Sequence, residues 1–272
     1  MTFDPVLNLA ALNGSNGFRI DGVAEFDNSG FSVSSAGDIN GDGIDDLIIG
    51  ATSANSNGLD SGSSYVVFGS VGGFNSTLNL SSLDGSNGFS IYGVTDFNYF
   101  GRSVSGGGDI NGDGFDDLII GAFVADPNGN TDSGSSYVVF GSGGGFSSIL
   151  NLSSLDGSNG FRIDGVAAFD YSGRSVSSAG DVNGDGFDDL IIGSYRADPN
   201  GTNSGSSYVV FGSDAGFSST LNLSALTGSN GFRIDGVAAD DRSGFSVSSA
   251  GDINGDGFDD LIIGSYRADP NS

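Results

Sequence analysis

A period of about 71 residues constrains the fold of this chain more than any other feature of its sequence. The segment Gly-Ser-Asn-Gly-Phe begins at Gly14, Gly85, Gly157 and Gly228, so the steps are 71, 72 and 71 residues. Self-similarity of this kind is typical of arrays in which each repeat is one supersecondary unit packed on its neighbours. We therefore predict one repeat region, 1–272, in which 1–13 belongs to the linker of a preceding unit. Its units are 14–84, 85–156, 157–227 and a partial fourth, 228–272.

Each unit contains short segments with the patterns of β-strands. In the third unit, apolar and polar residues alternate at 161–166 and 175–179, and β-branched or aromatic runs follow at 190–192 and 208–211. Since no stretch has a helical period, about four strands per unit are expected. A four-stranded unit repeated around an axis is a propeller blade. A solenoid is the structural alternative, although its repeats usually run ~20–45 residues.

The fold class predicted is therefore all-β: a β-propeller of four-stranded antiparallel blades. The Tyr-Val-Val-Phe strand occurs three times, from Tyr65, Tyr137 and Tyr208, and the fourth copy is absent. We expect the last blade to lack this one strand. In a closed ring, the first outer strand (17–23) would join that incomplete blade.

The charge of the chain favours cations and disfavours polyanions. Its 34 acidic residues, all Asp except Glu25, face 8 Arg and no Lys, which gives a net charge of −26. Such a field repels phosphate backbones, so we expect no nucleic-acid partner. The chain has no Cys and no His, which removes disulfides, thiolate sites and the commonest general base. No apolar run is long enough to span a membrane, and the N-terminus shows no secretory signal.

The motif Asp-x-Asn-Gly-Asp-Gly-x-Asp-Asp occurs once in each unit and predicts a calcium loop. It begins at Asp38, Asp109, Asp181 and Asp252. Side-chain oxygens at positions 1, 3, 5 and 9, with the carbonyl of position 7, form the all-oxygen set that Ca²⁺ prefers over Zn²⁺. The glycines at positions 4 and 6 permit the tight curl. The predicted ligands are Asp38, Asn40, Asp42, Ile44 and Asp46; Asp109, Asn111, Asp113, Phe115 and Asp117; Asp181, Asn183, Asp185, Phe187 and Asp189; Asp252, Asn254, Asp256, Phe258 and Asp260.

Two features separate these loops from an EF-hand, and one competing interpretation is a plain turn. No helical pattern flanks the loops, and position 12 is Ile49 or its equivalent instead of Glu. Asp, Asn and Gly also form ordinary turns, but four copies with every ligand position filled favour metal. The Asp at position 8 (Asp45, Asp116, Asp188, Asp259) is expected to be solvated or to support the ligands without touching the ion.

The loop and its surroundings resemble the FG-GAP repeat of integrin α-subunit propellers and related bacterial proteins. The matching segments in the second unit are Phe100-Gly101-x-Ser-Val, Gly108 through the metal loop to Leu-Ile-Ile-Gly-Ala, and Tyr137-Val-Val-Phe-Gly. The resemblance implies four-stranded blades with Ca²⁺ between the two innermost strands. The other units have Ser-Gly in place of Phe-Gly, and Gly-Ala-Pro is replaced in all four. Integrin propellers have seven blades, which four units cannot supply.

The arginines permit a functional and a structural interpretation. Arg19, Arg162 and Arg233 recur before Ile-Asp, a pattern that suggests either an anionic ligand site or, as we expect, an outward Arg that neutralises a nearby Asp on an edge strand. Arg102 and Arg174 replace Phe31 and Phe245 at one inner-strand position; if that strand lines a central channel, the channel carries two Arg and two Phe and is a candidate ligand site. The pairs Tyr195-Arg196 and Tyr266-Arg267 lie in loops, where they either contact partners or pack.

These features predict a calcium-binding, non-catalytic, extracellular or cell-surface structural or adhesion module with about four Ca²⁺. Protein or glycan ligands would bind its loop surfaces. A self-assembling subunit, completed by strand addition from a neighbour, is the alternative. An enzyme, such as a hydrolase-associated propeller, has less support, because a Ser nucleophile would have no imidazole base.

Overall fold

The computed structural model describes residues 6–269, and all its regular structure is β-strand apart from short 3₁₀ turns. The predicted strands are present. The first two units supply β1 (Arg19–Asp21), β2 (Ser29–Gly37), β3 (Asp46–Ala51), β4 (Ser63–Val67), β5 (Thr77–Asn79), β6 (Gly88–Tyr92), β7 (Val104–Gly108), β8 (Asp117–Ala122), β9 (Ser135–Val139) and β10 (Ile149–Asn151). The last two supply β11 (Gly160–Asp164), β12 (Ser175–Gly180), β13 (Asp189–Ser194), β14 (Ser206–Val210), β15 (Thr220–Asn222), β16 (Gly231–Asp235), β17 (Ser243–Gly251) and β18 (Asp260–Ser265).

The strands form four successive blades of the propeller type. Blade 1 contains β2-β3-β4-β6, blade 2 contains β7-β8-β9-β11 and blade 3 contains β12-β13-β14-β16, and these four strands pair antiparallel in each blade. Blade 4 contains β17 and β18 within the described residues. The first strands β2, β7, β12 and β17 lie side by side in chain order. The predicted fold class is thus confirmed.

Each linker adds a strand that the sequence patterns did not reveal. β10 pairs in parallel with the outer strand β6, β15 with β11, and β5 with β1. Blades 1 and 2 are therefore five-stranded, and β6 and β11 are not edge strands. A 3₁₀ turn follows each of these strands, at Leu80–Ser82, Leu152–Ser154 and Leu223–Ala225. The turn at Leu9–Ala11 has the equivalent position in the N-terminal linker, of which residues 1–5 lie outside the described part.

The core lies between neighbouring blades, because each blade is apolar on both faces. Ile48 and Val66 of blade 1 pack against Val104, Leu118 and Ile120 of blade 2. Equivalent residues join blade 2 to blade 3 and blade 3 to blade 4. Full burial of a Val or Ile side chain is worth about 1.5–3 kcal/mol, so stacked interfaces supply most of the apolar stabilisation.

Candidate functional site

Each metal loop connects the first two strands of its blade. A β-bulge shifts the register just before the loop, at Gly37, Gly180 and Gly251 and their equivalent in β7. These glycines adopt positive φ, such as 68° at Gly37, which a residue with a side chain rarely adopts. The bulge turns the chain out of the sheet and into the curl. All four loops therefore lie at the same end of their blades.

The oxygens of positions 1, 3 and 5 turn into the loop. In the second loop Asp109 Oδ1 accepts from the Asp113 N–H at 3.1 Å, and Asn111 Oδ1 accepts from the same N–H at 2.9 Å. The other oxygen of Asp109 accepts from the Gly114 N–H at 2.9 Å. The Asp113 carboxylate accepts from the Phe115 N–H. The same bonds recur in the other loops, so the curl assembles three oxygen-bearing side chains each time.

The Asp at position 9 begins the second strand and acts as an anchor. Asp117 is fully buried, and its two oxygens accept from the N–H groups of Ile110 and Gly141 at 3.0 and 2.9 Å. It thereby fastens the loop to the end of the third strand. Burial raises the pKa of Asp46 to about 6, of Asp189 to about 7 and of Asp117 to about 8. The backbone bonds oppose this rise by stabilising the charged form.

The donor chemistry of the loops fits a hard cation. Positions 1, 3 and 5 offer only carboxylate and amide oxygens, and two of these side chains converge on one N–H group. Within residues 6–269 no three Asp, Glu, His or Cys side chains are grouped as a ready-made metal cluster. Position 9 is held by the backbone, and position 3 is an Asn. The structure thus brings three of the five predicted ligands together in each loop. Ligation by positions 7 and 9 stays a prediction.

The Asp at position 8 connects successive loops. The sequence predicted that it is solvated or supports the ligands, but not that its partner lies in the preceding repeat. Asp116 accepts from the Asp38 N–H at 2.7 Å, Asp188 from that of Asp109 at 2.9 Å, and Asp259 from that of Asp181 at 2.9 Å. Burial raises the pKa of Asp188, and nearby Asp charges add to this effect. Only Asp45, which has no preceding loop among the described residues, is exposed as expected. Because the partners are almost 80 residues apart, no local signal identifies this contact.

The residue at position 7 also touches the preceding loop. A side chain at Gly41 would collide with the ring of Phe115, and one at Gly112 with the ring of Phe187. Glycine at position 4 is therefore required twice, for its positive φ and for this close approach. Neighbouring loops form one continuous row along the end of the array.

The opposite end of the blades carries arginines and aromatic rings. Arg102 precedes β7 and Phe123 follows β8, so both lie away from the metal loops. The Arg102 guanidinium lies 4.0 Å from the centre of the Phe31 ring, and that of Arg174 lies 4.7 Å from the Phe245 ring. Arg196 lies over Tyr171 at 4.8 Å. The sequence proposed these arginines as separate ligand or contact residues, and the structure places them in one group.

The remaining arginines have the structural role expected of them. Arg19, Arg162 and Arg233 pair with Asp21, Asp164 and Asp235 at 2.6, 2.6 and 2.7 Å. The partners are two residues apart on one strand face, which places them side by side. The expectation of edge strands was wrong for Arg162, since β11 lies between β9 and β15. It holds for Arg19 and Arg233, since β1 pairs only with β5 and β16 only with β14 among the described residues.

Four segments of the chain, residues 29–67, 100–139, 172–210 and 243–272, match the FG-GAP repeat family. Each begins at or near the first strand of a blade and includes the metal loop. Together they make up more than half of the sequence, and the chain belongs to the FG-GAP repeat family.

Curated relatives include integrin α chains. Integrin alpha pat-2 of Caenorhabditis elegans is 30% identical over 258 residues, covering 91% of this chain and 19% of the relative. Integrin alpha-5 of Xenopus laevis is 28% identical over 253 residues, covering 91% and 21%. A phosphatidylinositol-glycan-specific phospholipase D of Dictyostelium discoideum is 33% identical over 209 residues, covering 69% and 20%. The chain thus resembles integrin α and spans about a fifth of the length of these relatives.

The described residues contain no helix with the length and apolar character needed to cross a membrane. Their helical segments are 3₁₀ turns of three residues.

Proposed function

We propose that this chain is a calcium-binding, non-catalytic adhesion module that works outside the cell or at its surface. The observation that carries the proposal is the fourfold loop, in which the side-chain oxygens of positions 1, 3 and 5 turn inward. Calcium would be held by those residues and would supply positive charge where Asp side chains crowd. The integrin-like repeats support the adhesive role.

An extracellular setting agrees with the chemistry of the loops. Such loops bind calcium with a Kd of order 10⁻⁴–10⁻³ M in extracellular modules. Four Ca²⁺ would reduce the net charge from −26 to about −18. A ligand that binds only the folded state stabilises it by mass action, and a tenfold excess over Kd is worth about 1.4 kcal/mol per site.

A matched pair of substitutions in one loop tests the calcium proposal. Asp42→Asn removes a proposed ligand charge but keeps an oxygen for the Ile44 N–H, whereas Asp45→Asn removes an exposed charge outside the proposed set. We expect calorimetric titration to give about four Ca²⁺ for the wild type and Asp45→Asn, and about three for Asp42→Asn. Calcium should raise the melting temperature of all three proteins. An unchanged melt on adding calcium after EDTA treatment would refute the proposal.

Catalysis has no comparable support in this chain. One relative is named as a phospholipase D, but this chain has no His, no Cys and a single Glu. The proposed role of the Asp side chains in the loops is structural. A hydrolase-associated propeller therefore remains the weaker alternative.

Self-association is a second candidate function. It is favoured by the two outer faces of the array, which are the face of blade 1 that contains Val33 and the face of blade 4 that contains Ile262. Val33 is 67% exposed, whereas Val104, Val176 and Val247 are 7%, 4% and 8% exposed. At the other end Ile262 is 60% exposed, whereas Ile48, Ile119 and Ile191 are fully buried. These faces are the two halves of the interface that recurs three times inside the chain. We propose that the face of one copy docks on the opposite face of a second copy, and sedimentation of the purified chain tests this.

A further inference from the structure

Five of the eight arginines lie together at the end of the blades opposite the metal loops. Their positions are those at which the otherwise near-identical repeats differ in chemistry. The position of Arg102 is Phe, Arg, Arg, Phe in the four repeats, and that of Arg196 is Ser, Val, Arg, Arg. The arginines of this Arg-aromatic surface are Arg102, Arg174, Arg196, Arg242 and Arg267, and its rings are Tyr99, Phe123, Tyr171, Tyr195, Phe245 and Tyr266.

Two of these arginines lack the acidic partner that the rest of the chain would lead one to expect. Arg19, Arg162 and Arg233 each pair with an Asp. Among the described residues, neither Arg102 nor Arg174 has a carboxylate within ion-pair distance, although the chain carries a net charge of −26. Both guanidinium groups lie 5.9 Å from the centre of the Phe123 ring. Two half-buried cations therefore lie against one aromatic ring, and no carboxylate of residues 6–269 pairs with either.

The electrostatics agree with this geometry. Burial, together with the charge of Arg174, lowers the pKa of Arg102 to about 10, so it stays protonated at neutral pH. Burial also lowers the pKa of Arg174. A bound anion would relieve both effects, because an opposite charge nearby stabilises the protonated form.

The rings form a continuous row beside the arginines. Successive centres from Tyr99 through Phe123, Tyr171, Tyr195 and Phe245 to Tyr266 are 6.1, 5.9, 6.0, 5.4 and 4.4 Å apart. Most are partly exposed, and Tyr266 is 53% exposed. Aromatic faces present apolar surface on which the C–H face of a sugar ring packs, while guanidinium groups bind carboxylates by paired hydrogen bonds.

We propose that the Arg-aromatic surface binds an acidic saccharide, with its carboxylate at Arg102 and Arg174 and its ring against Phe123 and its neighbours. This proposal names a class of ligand for the adhesion module and rests on that proposed function. A long polyanion would be repelled by the negative charge of the chain, although this repulsion is screened beyond about 8 Å at physiological ionic strength. A saccharide with isolated carboxylates avoids this repulsion.

The test compares a disaccharide containing one glucuronate with its neutral glucose counterpart. Binding is followed by saturation-transfer NMR at constant ionic strength and millimolar ligand. We expect the neutral sugar to bind at least fivefold more weakly. Arg102→Gln combined with Arg174→Gln should weaken glucuronate binding at least fivefold, whereas Arg19→Gln, which removes a paired arginine elsewhere, should leave it unchanged.

Three outcomes would overturn the assignment: equal binding of the neutral sugar, unchanged binding by the double variant, or tighter binding of a Gly-Glu-Gly peptide. Unchanged melting and calcium stoichiometry of the double variant show that it folds. If it does not fold, Arg102→Lys, which keeps the charge but not the paired hydrogen bonds, is expected to weaken glucuronate binding, and equal affinity would count against the site. Loss of calcium binding with retained saccharide binding would refute the calcium proposal alone.

Discussion

At the scale of single residues, the Asp side chains of one motif differ in how deeply they are buried and in which groups they contact. Asp45 and Asp46 are neighbours in the same motif, yet one is exposed and the other fully buried. Asp116, in the same position as Asp45, caps an N–H group of the preceding loop. The motif thus contains three kinds of Asp: those that turn into the loop, those that join loops and those that anchor the loop to the sheet.

A buried Asp outside the loops gives a prediction about pH. Asp170 is 7% exposed and accepts a hydrogen bond from the Ala167 N–H. Burial, with a contribution from the charge of Asp198, raises its pKa to about 6. Since the unfolded value is about 3.9, ionisation of Asp170 costs stability, and this cost appears as the pH rises from about 4 through 6. Asp170→Asn should therefore be more stable than the wild type at pH 7.5, by about 1–3 kcal/mol.

Urea unfolding in EDTA between pH 5 and 8 measures this difference. We expect the advantage of Asp170→Asn to shrink toward pH 5, where the wild-type carboxyl becomes protonated in the folded state. Asp214→Asn, an exposed Asp in a loop, controls for the change in net charge and should differ from the wild type by less than about 0.5 kcal/mol. An advantage that is independent of pH would contradict the assignment.

At the scale of elements, the bulged hairpin positions the metal loop and the contact between loops holds it. The bulge glycine directs the chain out of the sheet, and the next blade supplies an Asp and an aromatic ring that close over the loop. The order of one loop therefore depends on the blade that follows it.

Two glycines of the same loop separate backbone strain from packing between loops. Gly112 and Gly114 have similar φ angles of 75° and 88°, but only Gly112 would place a Cβ against the Phe187 ring. Alanine costs about 1–2 kcal/mol at either position for its left-handed backbone. Gly112→Ala should lose a further 1–3 kcal/mol, roughly the cost of overpacking. Calcium-free urea unfolding measures both variants, and equal losses would show that the neighbouring ring gives way freely.

At the scale of the whole molecule, a row of blades buries apolar surface only where two blades meet. Every internal interface buries the same Val and Ile positions that the outer faces leave exposed. The net charge of −26 opposes association of copies, so the apolar faces have to outweigh a general repulsion.

Complementary variants test the head-to-tail docking proposed above. Val33→Lys spoils one outer face and Ile262→Lys the other. We expect the wild type to grow in mass with concentration in sedimentation equilibrium at 0.15 M salt, and each variant alone to stay monomeric. A mixture of the two should stop at dimers, because one good face remains on each partner. Phe26→Lys, at an 87% exposed residue of the loop before β2, should behave as the wild type. A wild type that is monomeric at all concentrations would refute the docking.

The sequence by itself determined the repeat, the strand patterns, the family resemblance and the candidate loops, because these depend on local spacing. Alternation of apolar and polar residues, together with β-branched runs, predicted the four strands of each blade. The spacing of Gly, Asn and Asp predicted the loop. It missed the short parallel strands β5, β10 and β15, whose three residues carry too little pattern to be recognised.

Only the tertiary structure decided how the repeats meet. It assigned Asp116, Asp188 and Asp259 to the neighbouring loop and gathered arginines from separate repeats on one surface. The partners that join successive loops are 78 or 79 residues apart in the chain, and the gathered arginines belong to different repeats. Their contact depends on the stacking of blades, a property of the packed array that no local sequence pattern encodes.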